Sequence, residues 1–344
     1  MCEKKFVVMA TFNGSGSSAI VDLLKEFKGF YECEAEIRFI TDPYGIIQLE
    51  RALVDDWDWV ASAGAITDYI NLCKRYCHKK SHFPLARFGL GYNTTINPKF
   101  MEITYKYIER LSKYTYRVDF YHYKSQKKYI RYCLDRLRYG IEYYSKGKLK
   151  TANRKGQISY FANPSREEFL EATRDYIEEL FEEHFKSDNG YIILDQALTA
   201  GQAKKIHQYF RKSKLIIADR DPRDMYANEL LQVNLNPDCY TDEYAHNYCI
   251  RQKAMHQGIP KDDKDVLRVQ FESLICNYDT EKRRIAEFLN VPLESHINPR
   301  KFLKPEVSIK NVMLWKKRYS QYENVYRIIE NELDELLYSG KTEL

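Results

Sequence analysis

Apolar residues fall along the chain in two rhythms. Residues 5–10 (KFVVMA) form a short apolar run with paired valines, the pattern of a strand buried on both faces. Residues 17–27 (SSAIVDLLKEF) then place Ala19, Ile20, Leu23, Leu24 and Phe27 at helical spacing, with Ser17 or Ser18 as the cap. Residues 31–40 (YECEAEIRFI) alternate weakly and predict a second strand. After a long gap the short apolar runs return at 191–194 (YIIL), 215–218 (LIIA) and 266–271 (VLRVQF). Helical segments separate them at 202–210 and 223–231, and another follows at 281–289. Strands alternating with helices predict an α/β fold, a central parallel sheet flanked by helices.

The gap itself reads differently. Residues 49–76 look helical, 97–150 are long, basic and rich in tyrosine, and 167–185 repeat apolar residues at Leu170, Tyr176, Ile177, Leu180 and Phe181. A single domain over 1–344 is expected, with a large, mostly helical insertion at 45–185 on the acceptor side of any site. No internal repeat or low-complexity linker interrupts it.

Composition adds limits. With 344 residues, 44% of them apolar, the chain can bury a large core. A net charge of +5 does not by itself imply nucleic acid. The eight cysteines are scattered. Cys73 and Cys77 alone approach a pair and no second pair or histidine partner follows, so neither zinc nor a disulfide framework is expected. The N-terminal MCEKKFVVMA is too short in its apolar run for a signal peptide, and no stretch approaches a membrane span. These features predict a soluble, cytoplasmic protein with free thiols.

Between the first strand and the first helix lies Gly14-Ser15-Gly16-Ser17-Ser18. A loop binding a nucleoside triphosphate with Mg²⁺ would need G-x-x-x-x-G-K-[ST], and here Ser17 stands where the lysine belongs. Gly14 to Ala19 also satisfies G-x-G-x-x-A, with Glu34 twenty residues beyond Gly14, a weak dinucleotide match. A third reading keeps the physics of the loop: the amides of Ser15, Gly16, Ser17 and Ser18 hold one terminal phosphate at the helix N-terminus. The plain alternative is a tight strand–helix turn with a serine cap.

A second motif completes the third reading. At 215–230 the chain reads LIIADRDPRDMYANEL, a strand running into Arg220-Asp221-Pro222-Arg223-Asp224 and a helix. Pro222 suits a first helical turn and Asp224 the positive helix end. Arg220 falls at the carboxyl edge of the sheet, where open α/β sheets bind ligands and where its fork can take a phosphate.

Together the two motifs resemble the sulfotransferases that use 3′-phosphoadenosine 5′-phosphosulfate (PAPS), a family with a P-loop-NTPase-like fold and no Walker lysine. The resemblance implies that Gly14, Ser15, Gly16, Ser17 and Ser18 hold the 5′-phosphosulfate. It implies that Arg220 holds the 3′-phosphate, with Asn228 where the family places a serine. SIKNVMLWKKR at 308–318 resembles the late loop that closes over the nucleotide, with Lys310, Trp315 and Lys316 as its working residues; Trp315 reads equally as a core anchor. One departure stands out. The family carries Lys or Arg just before Ser-Gly, where this chain has Gly14, leaving Lys310 or another group to neutralise the leaving phosphate.

ECEAEIRFITD, residues 32–42, is similar to the strand of glycosaminoglycan sulfotransferases that carries their catalytic glutamate. It implies Glu36 as general base, with Glu34 on the same strand face as second choice; the bland alternative is a solvated acidic strand paired to Arg38. The product would be 3′,5′-ADP and no metal is required. Between Lys99 and Gly156 there are 16 Lys and Arg against 5 Asp and Glu, with eleven tyrosines. That surface suits a glycan acceptor, and equally a solvated helical face. A sterol or other lipophilic alcohol, a kinase activity and a non-catalytic nucleotide- or RNA-binding role are the competing readings; nucleic acid is the least expected partner, and the oligomeric state is left open.

Overall fold

The computed structural model describes residues 5–12, 14–78, 89–118, 129–146, 148–149, 157–185, 190–232, 241–317 and 319–340. In chain order the main elements are β1 (Lys5–Thr11), α1 (Ser17–Lys25), β2 (Phe30–Glu32), α2 (Trp59–Cys77), α3 (Phe100–Leu111), β3 (Ser112–Val118), α4 (Tyr129–Tyr144), β4 (Gln157–Ala162) and α5 (Arg166–Leu180). Then come β5 (Tyr191–Thr199), β6 (Ser213–Asp219), α6 (Pro222–Gln232), α7 (Asp242–His256), β7 (Val266–Gln270), α8 (Tyr278–Leu289) and α9 (Glu323–Glu332).

The chain divides into two compact units. The first comprises residues 1–41, 94–98 and 177–344, the second 42–93 and 99–176. The first unit is built on a five-stranded sheet of order β2-β5-β1-β6-β7. All four of its pairings are parallel. The expected α/β class with a central parallel sheet is therefore the observed one. Val7, Val8, Met9 and Ala10 of β1 are fully buried because the strand has a neighbour on each edge and helices on each face. Phe6, Leu23, Leu24, Ile192–Leu194 and Leu215–Ile217 complete this core.

Register fixes where a site can form. Thr11 lies opposite Thr199 on one side and Ala218 on the other, and Asp219 opposite Gln270. The glycine loop and Arg220 thus leave the same carboxyl edge, at the central strand where the chain turns outward in both directions. β5 departs from regularity there. Its pairing with β1 jumps from Val8–Leu194 to Ala10–Leu198, so two extra residues bulge out, and Gln196 adopts φ +56°.

Three expectations need correction. The second strand ends at Glu32, and residues 33–38 are irregular, so Glu34 and Glu36 do not share a strand face. The segment 202–210 is a 3₁₀ stretch, Ala200–Lys205, leading to a single α-turn, Ile206–Tyr209. The cap of α1 is Gly16 in the left-handed conformation, with no side-chain capping bond from Ser17 or Ser18. Two further helices of the first unit, α7 and α9, meet around Tyr226, Tyr248, Tyr326 and Ile329; α7 shows no helical apolar periodicity, while α9 buries Val325, Tyr326 and Ile329 on one face.

The second unit packs α2, α3 and α5 around buried tyrosines. Tyr69 and Tyr176 share a hydrogen bond of 3.1 Å, and Tyr107 stacks on Tyr176 at 4.4 Å. This unit also holds an antiparallel ribbon of β3 and β4 that the helical reading did not anticipate. In β3 the alternation sets Lys113, Thr115 and Arg117 on one face against Tyr114 and Tyr116 on the other, without the apolar residues that mark a buried strand.

Candidate anion site at the carboxyl edge

The loop after β1 is shaped by two glycines. Gly14 takes φ +79° and Gly16 φ +84°, values that side chains adopt only under strain. A methyl on Gly16 would lie 2.7 Å from the Phe271 ring, and one on Gly14 would lie 2.9 Å from Nδ2 of Asn228. The turn closes with Ser15 N–H donating to the Phe12 carbonyl at 3.1 Å. That amide is therefore engaged, and the donors left at the start of α1 are those of Gly16, Ser17 and Ser18. The Ser15 side chain is only 1% exposed, and its Oγ has no hydrogen-bond partner among the described residues.

Arg220 is 9% exposed and lies 4.9 Å above the Phe271 ring. Its Nη1 donates to the Gly14 carbonyl at 3.0 Å and its Nη2 to the Asn311 carbonyl at 2.6 Å, so the fork braces two backbones. Its Nε is buried and unpartnered among the described residues. A buried hydroxyl and a buried guanidinium N–H without acceptors, beside a helix N-terminus, are the donor set an anion would complete.

The rest of the motif holds a later segment in place. Asp224 accepts from the amides of Met313 at 2.7 Å and Trp315 at 3.1 Å, and burial pushes its carboxyl up to about 6. Met313 has φ +56°, a conformation suited to glycine that these bonds help to hold. Arg223 makes a two-bond pair with Asp221, reaches Glu330 at 2.9 Å and lies 4.1 Å over the Trp315 ring. Trp315 also meets Tyr319 and Tyr326. Its place in this aromatic cluster is that of an anchor. Lys310 and Lys316 are exposed on the segment so anchored.

Asn228, expected beside a 3′-phosphate, lies against Gly14. The two positions that depart from the family pattern are thus neighbours: the amide occupies space that a side chain at position 14 would need. Glu36 is half-exposed, its side chain at 52%, and 3.8 Å from Arg38. Arg38 donates to Gln196 at 2.9 Å, and the Ile37 amide to the Asp195 carbonyl at 2.9 Å, tying this segment to the bulge of β5.

Two polar groups were missed by sequence reasoning. Asp195 sits in the bulge, hydrogen-bonded to the Ser17 hydroxyl, with Oδ1 buried and unpartnered among the described residues. Burial, with smaller contributions from Glu36 and Glu32, pushes its carboxyl up to about 6. The bulge was not legible, because YIILDQALT reads as one strand interrupted by two polar residues. His256 lies flat on Phe12, ring centroids 4.2 Å apart, with Nδ1 2.8 Å from the Gln252 carbonyl. Burial lowers its proton affinity and so favours the neutral ring. Among the described residues, His207, Asp263 and Asp265 converge at the opposite edge of the sheet, but Lys214 already pairs with Asp265 at 2.7 Å.

The fold and the donor set define an α/β protein with buried, unpartnered donors at the carboxyl edge of its central strand. A family model described as the sulfotransferase family matches residues 120–295, just over half of the sequence, and the chain belongs to that family. The matched residues include Arg220 and Asn228; the glycine loop precedes them. Among solved structures the chain is similar to sulfotransferase STF9 from Mycobacterium avium, at 12% identity and a TM-score of 0.39, covering 99% of this chain and 78% of that one. It is also similar to the sulfotransferase domain of the Synechococcus PCC 7002 olefin synthase, at 12% identity and a TM-score of 0.40, covering 98% and 95%. Comparison with curated protein sequences gives no match. No helix among the described residues is long and apolar enough to cross a membrane.

Proposed function

We propose that the protein moves the sulfuryl group of PAPS to a hydroxyl of a carbohydrate acceptor. The observation that carries this reading is the pair of buried, unpartnered donors, Ser15 Oγ and Arg220 Nε, at one sheet edge. Gly16, Ser17 and Ser18 would offer amides and hydroxyls to the 5′-phosphosulfate. Arg220 and Asn228, with Lys310 and Lys316 from the segment anchored by Trp315, would hold the 3′-phosphate and close over the nucleotide. The bound donor supplies an activated sulfuryl group, and in-line transfer asks the protein for positioning and charge stabilisation. No metal is needed, since the transferred group carries less charge than a phosphoryl group.

Glu36 is the proposed general base, because its half-exposed carboxylate can meet an incoming hydroxyl; Glu34 is the alternative on the same segment. The glycan reading of the acceptor rests on the likeness of residues 32–42 to glycosaminoglycan sulfotransferases and on the basic, tyrosine-rich stretch of the second unit. Tyr114, Tyr143 and Tyr144 there are well exposed, as stacking on sugar rings requires. The scattered thiols fit work in a reducing cytoplasm.

Incubation with labelled PAPS and parallel panels of glycan, sterol and phenolic hydroxyl acceptors tests the reading. Label is expected on a glycan and only there. Transfer to sterols alone would overturn the acceptor class, and unchanged transfer by Glu36→Gln would overturn the base.

A further inference from the structure

The five loop residues Gly14 to Ser18 carry no charge, yet the oxygen that leaves with the phosphate gains negative charge as sulfuryl transfer proceeds. Some donor must meet it. Lys310 is exposed on the segment braced to Arg220, on the side assigned to the 3′-phosphate. Asp195, in contrast, is hydrogen-bonded to Ser17 of the loop itself.

Its position is built. The two extra residues of β5 and the left-handed Gln196 swing Asp195 out of the ladder. The bulge is fastened from outside by Ile37 N–H on the Asp195 carbonyl and by Arg38 on the Gln196 amide oxygen. A left-handed conformation at a non-glycine residue persists where its surroundings impose it. The result is a carboxyl that accepts from the Ser17 hydroxyl and the Gln196 amide, while Oδ1 is buried without a partner among the described residues. Among the described residues, the charged groups that act on it are Glu36 and Glu32 from the segment after α1. Lys25 at the end of α1 is already paired with Glu32 at 3.0 Å, and Arg38 faces Glu36 and Gln196. The surroundings that act on Asp195 are thus mostly acidic, and a phosphate at the loop adds more negative charge.

Resting on the donor reading above, we propose that Asp195, in its protonated form, donates a hydrogen bond to the oxygen bridging sulfur and the leaving 5′-phosphate, supplying the charge stabilisation that the loop lacks. In the transfer, the acceptor oxygen bonds to sulfur and the sulfur–bridging oxygen bond breaks, its electron pair staying on the phosphate. The acceptor proton passes to Glu36. Asp195 keeps its own proton throughout and only strengthens its hydrogen bond as charge develops. Burial supports the required protonation, since it already pushes this carboxyl up to about 6 before any anion arrives.

The test uses the whole chain with 3′,5′-ADP as probe, by calorimetry from pH 6 to 8, in the wild type, Asp195→Asn and Asp195→Ala. Asparagine keeps a donor and cannot titrate. The phosphates of the probe titrate identically against every variant, so the ratio of wild-type to Asp195→Asn affinity isolates Asp195. That ratio should fall by up to about tenfold per pH unit above 6. With labelled PAPS, Asp195→Asn should keep transfer within about tenfold of wild type and lose the decline at high pH, while Asp195→Ala drops it about 10²-fold. A pH-independent affinity ratio, or an asparagine variant as inactive as alanine, would overturn the role of Asp195 while leaving the donor site standing. A wild type that does not bind 3′,5′-ADP overturns both.

Discussion

The Arg220–Asp224 motif and the Asp195–Glu36 corner flank the same loop and are built in opposite ways. In the motif most polar atoms are engaged, the buried Arg220 Nε excepted. Arg220 grips two carbonyls, Asp224 two amides, and Arg223 two carboxylates and an indole face. In the corner a carboxyl is held by a strained bulge, one of its oxygens has no partner among the described residues, and a half-exposed glutamate stands beside it. A wired motif fixes geometry; an acid left short of partners keeps its proton chemistry. In the proposed function the first holds the ligand and the second reacts with it.

The largest expected break is in the loop that joins the two. Gly16→Val would force a side chain at φ +84° into the Phe271 ring, 2.7 Å from where its Cβ must lie. Urea unfolding should show a loss of about 3 kcal/mol or more, strain and overlap together. Arg220→Ala comes next: it removes both carbonyl bonds and a buried charge, so 3′,5′-ADP affinity should fall about 100-fold in calorimetry. Arg220→Lys should rescue little, since one ammonium cannot span Gly14 and Asn311 as the planar fork does. A lysine variant with wild-type affinity would mean the bracing is incidental.

Asp224→Ala sharpens the role of the motif more gently. The amides of Met313 and Trp315 lose their acceptor, and their hydrogen exchange should quicken, with a stability loss of about 1–3 kcal/mol. Unchanged exchange would show that Trp315 and its aromatic neighbours hold the segment unaided.

A smaller effect is expected from Glu272, which is 1% exposed and accepts from the Asp221 amide at 3.1 Å. Burial pushes its carboxyl up to about 7. The folded state therefore binds this proton more tightly than the unfolded chain, and the associated stability, full at acid pH, drains away as pH rises from about 4.5 towards 7. Glu272→Gln should flatten that slope and exceed the wild type in melting temperature at pH 8. A steeper slope in the variant would contradict the assignment. Smallest of all, Glu34→Gln lies on an exposed irregular segment and should change stability by less than about 0.5 kcal/mol.

The contrast between the two regions also explains what the sequence revealed. The loop and the Arg220 motif were legible because glycines and alternating charges at a strand end are local chemistry, written within ten residues of each other or of a strand. The alternation of apolar runs gave the parallel sheet for the same reason. The bulge at Asp195 depends on how β5 registers against β1, a contact between residues nearly two hundred positions apart, and nothing in YIILDQALT signals it. The same holds for Asn228 against Gly14, which joins two stretches read separately. The Glu34–Glu36 strand failed because weak alternation does not show where β2 loses its neighbour at Ile193. Trp315 was ambiguous until Arg223 and two tyrosines were seen around it.

The central claim is a site for a nucleotide with phosphates at both the 3′ and 5′ positions, held between the glycine loop and Arg220. Thermal unfolding with 3′,5′-ADP, 5′-AMP and ATP with Mg²⁺, each at equal concentration, measures it most directly. The account predicts clear stabilisation by 3′,5′-ADP, a smaller shift with 5′-AMP and none with ATP and Mg²⁺. Equal stabilisation by ATP and Mg²⁺, or no response to 3′,5′-ADP, would contradict it.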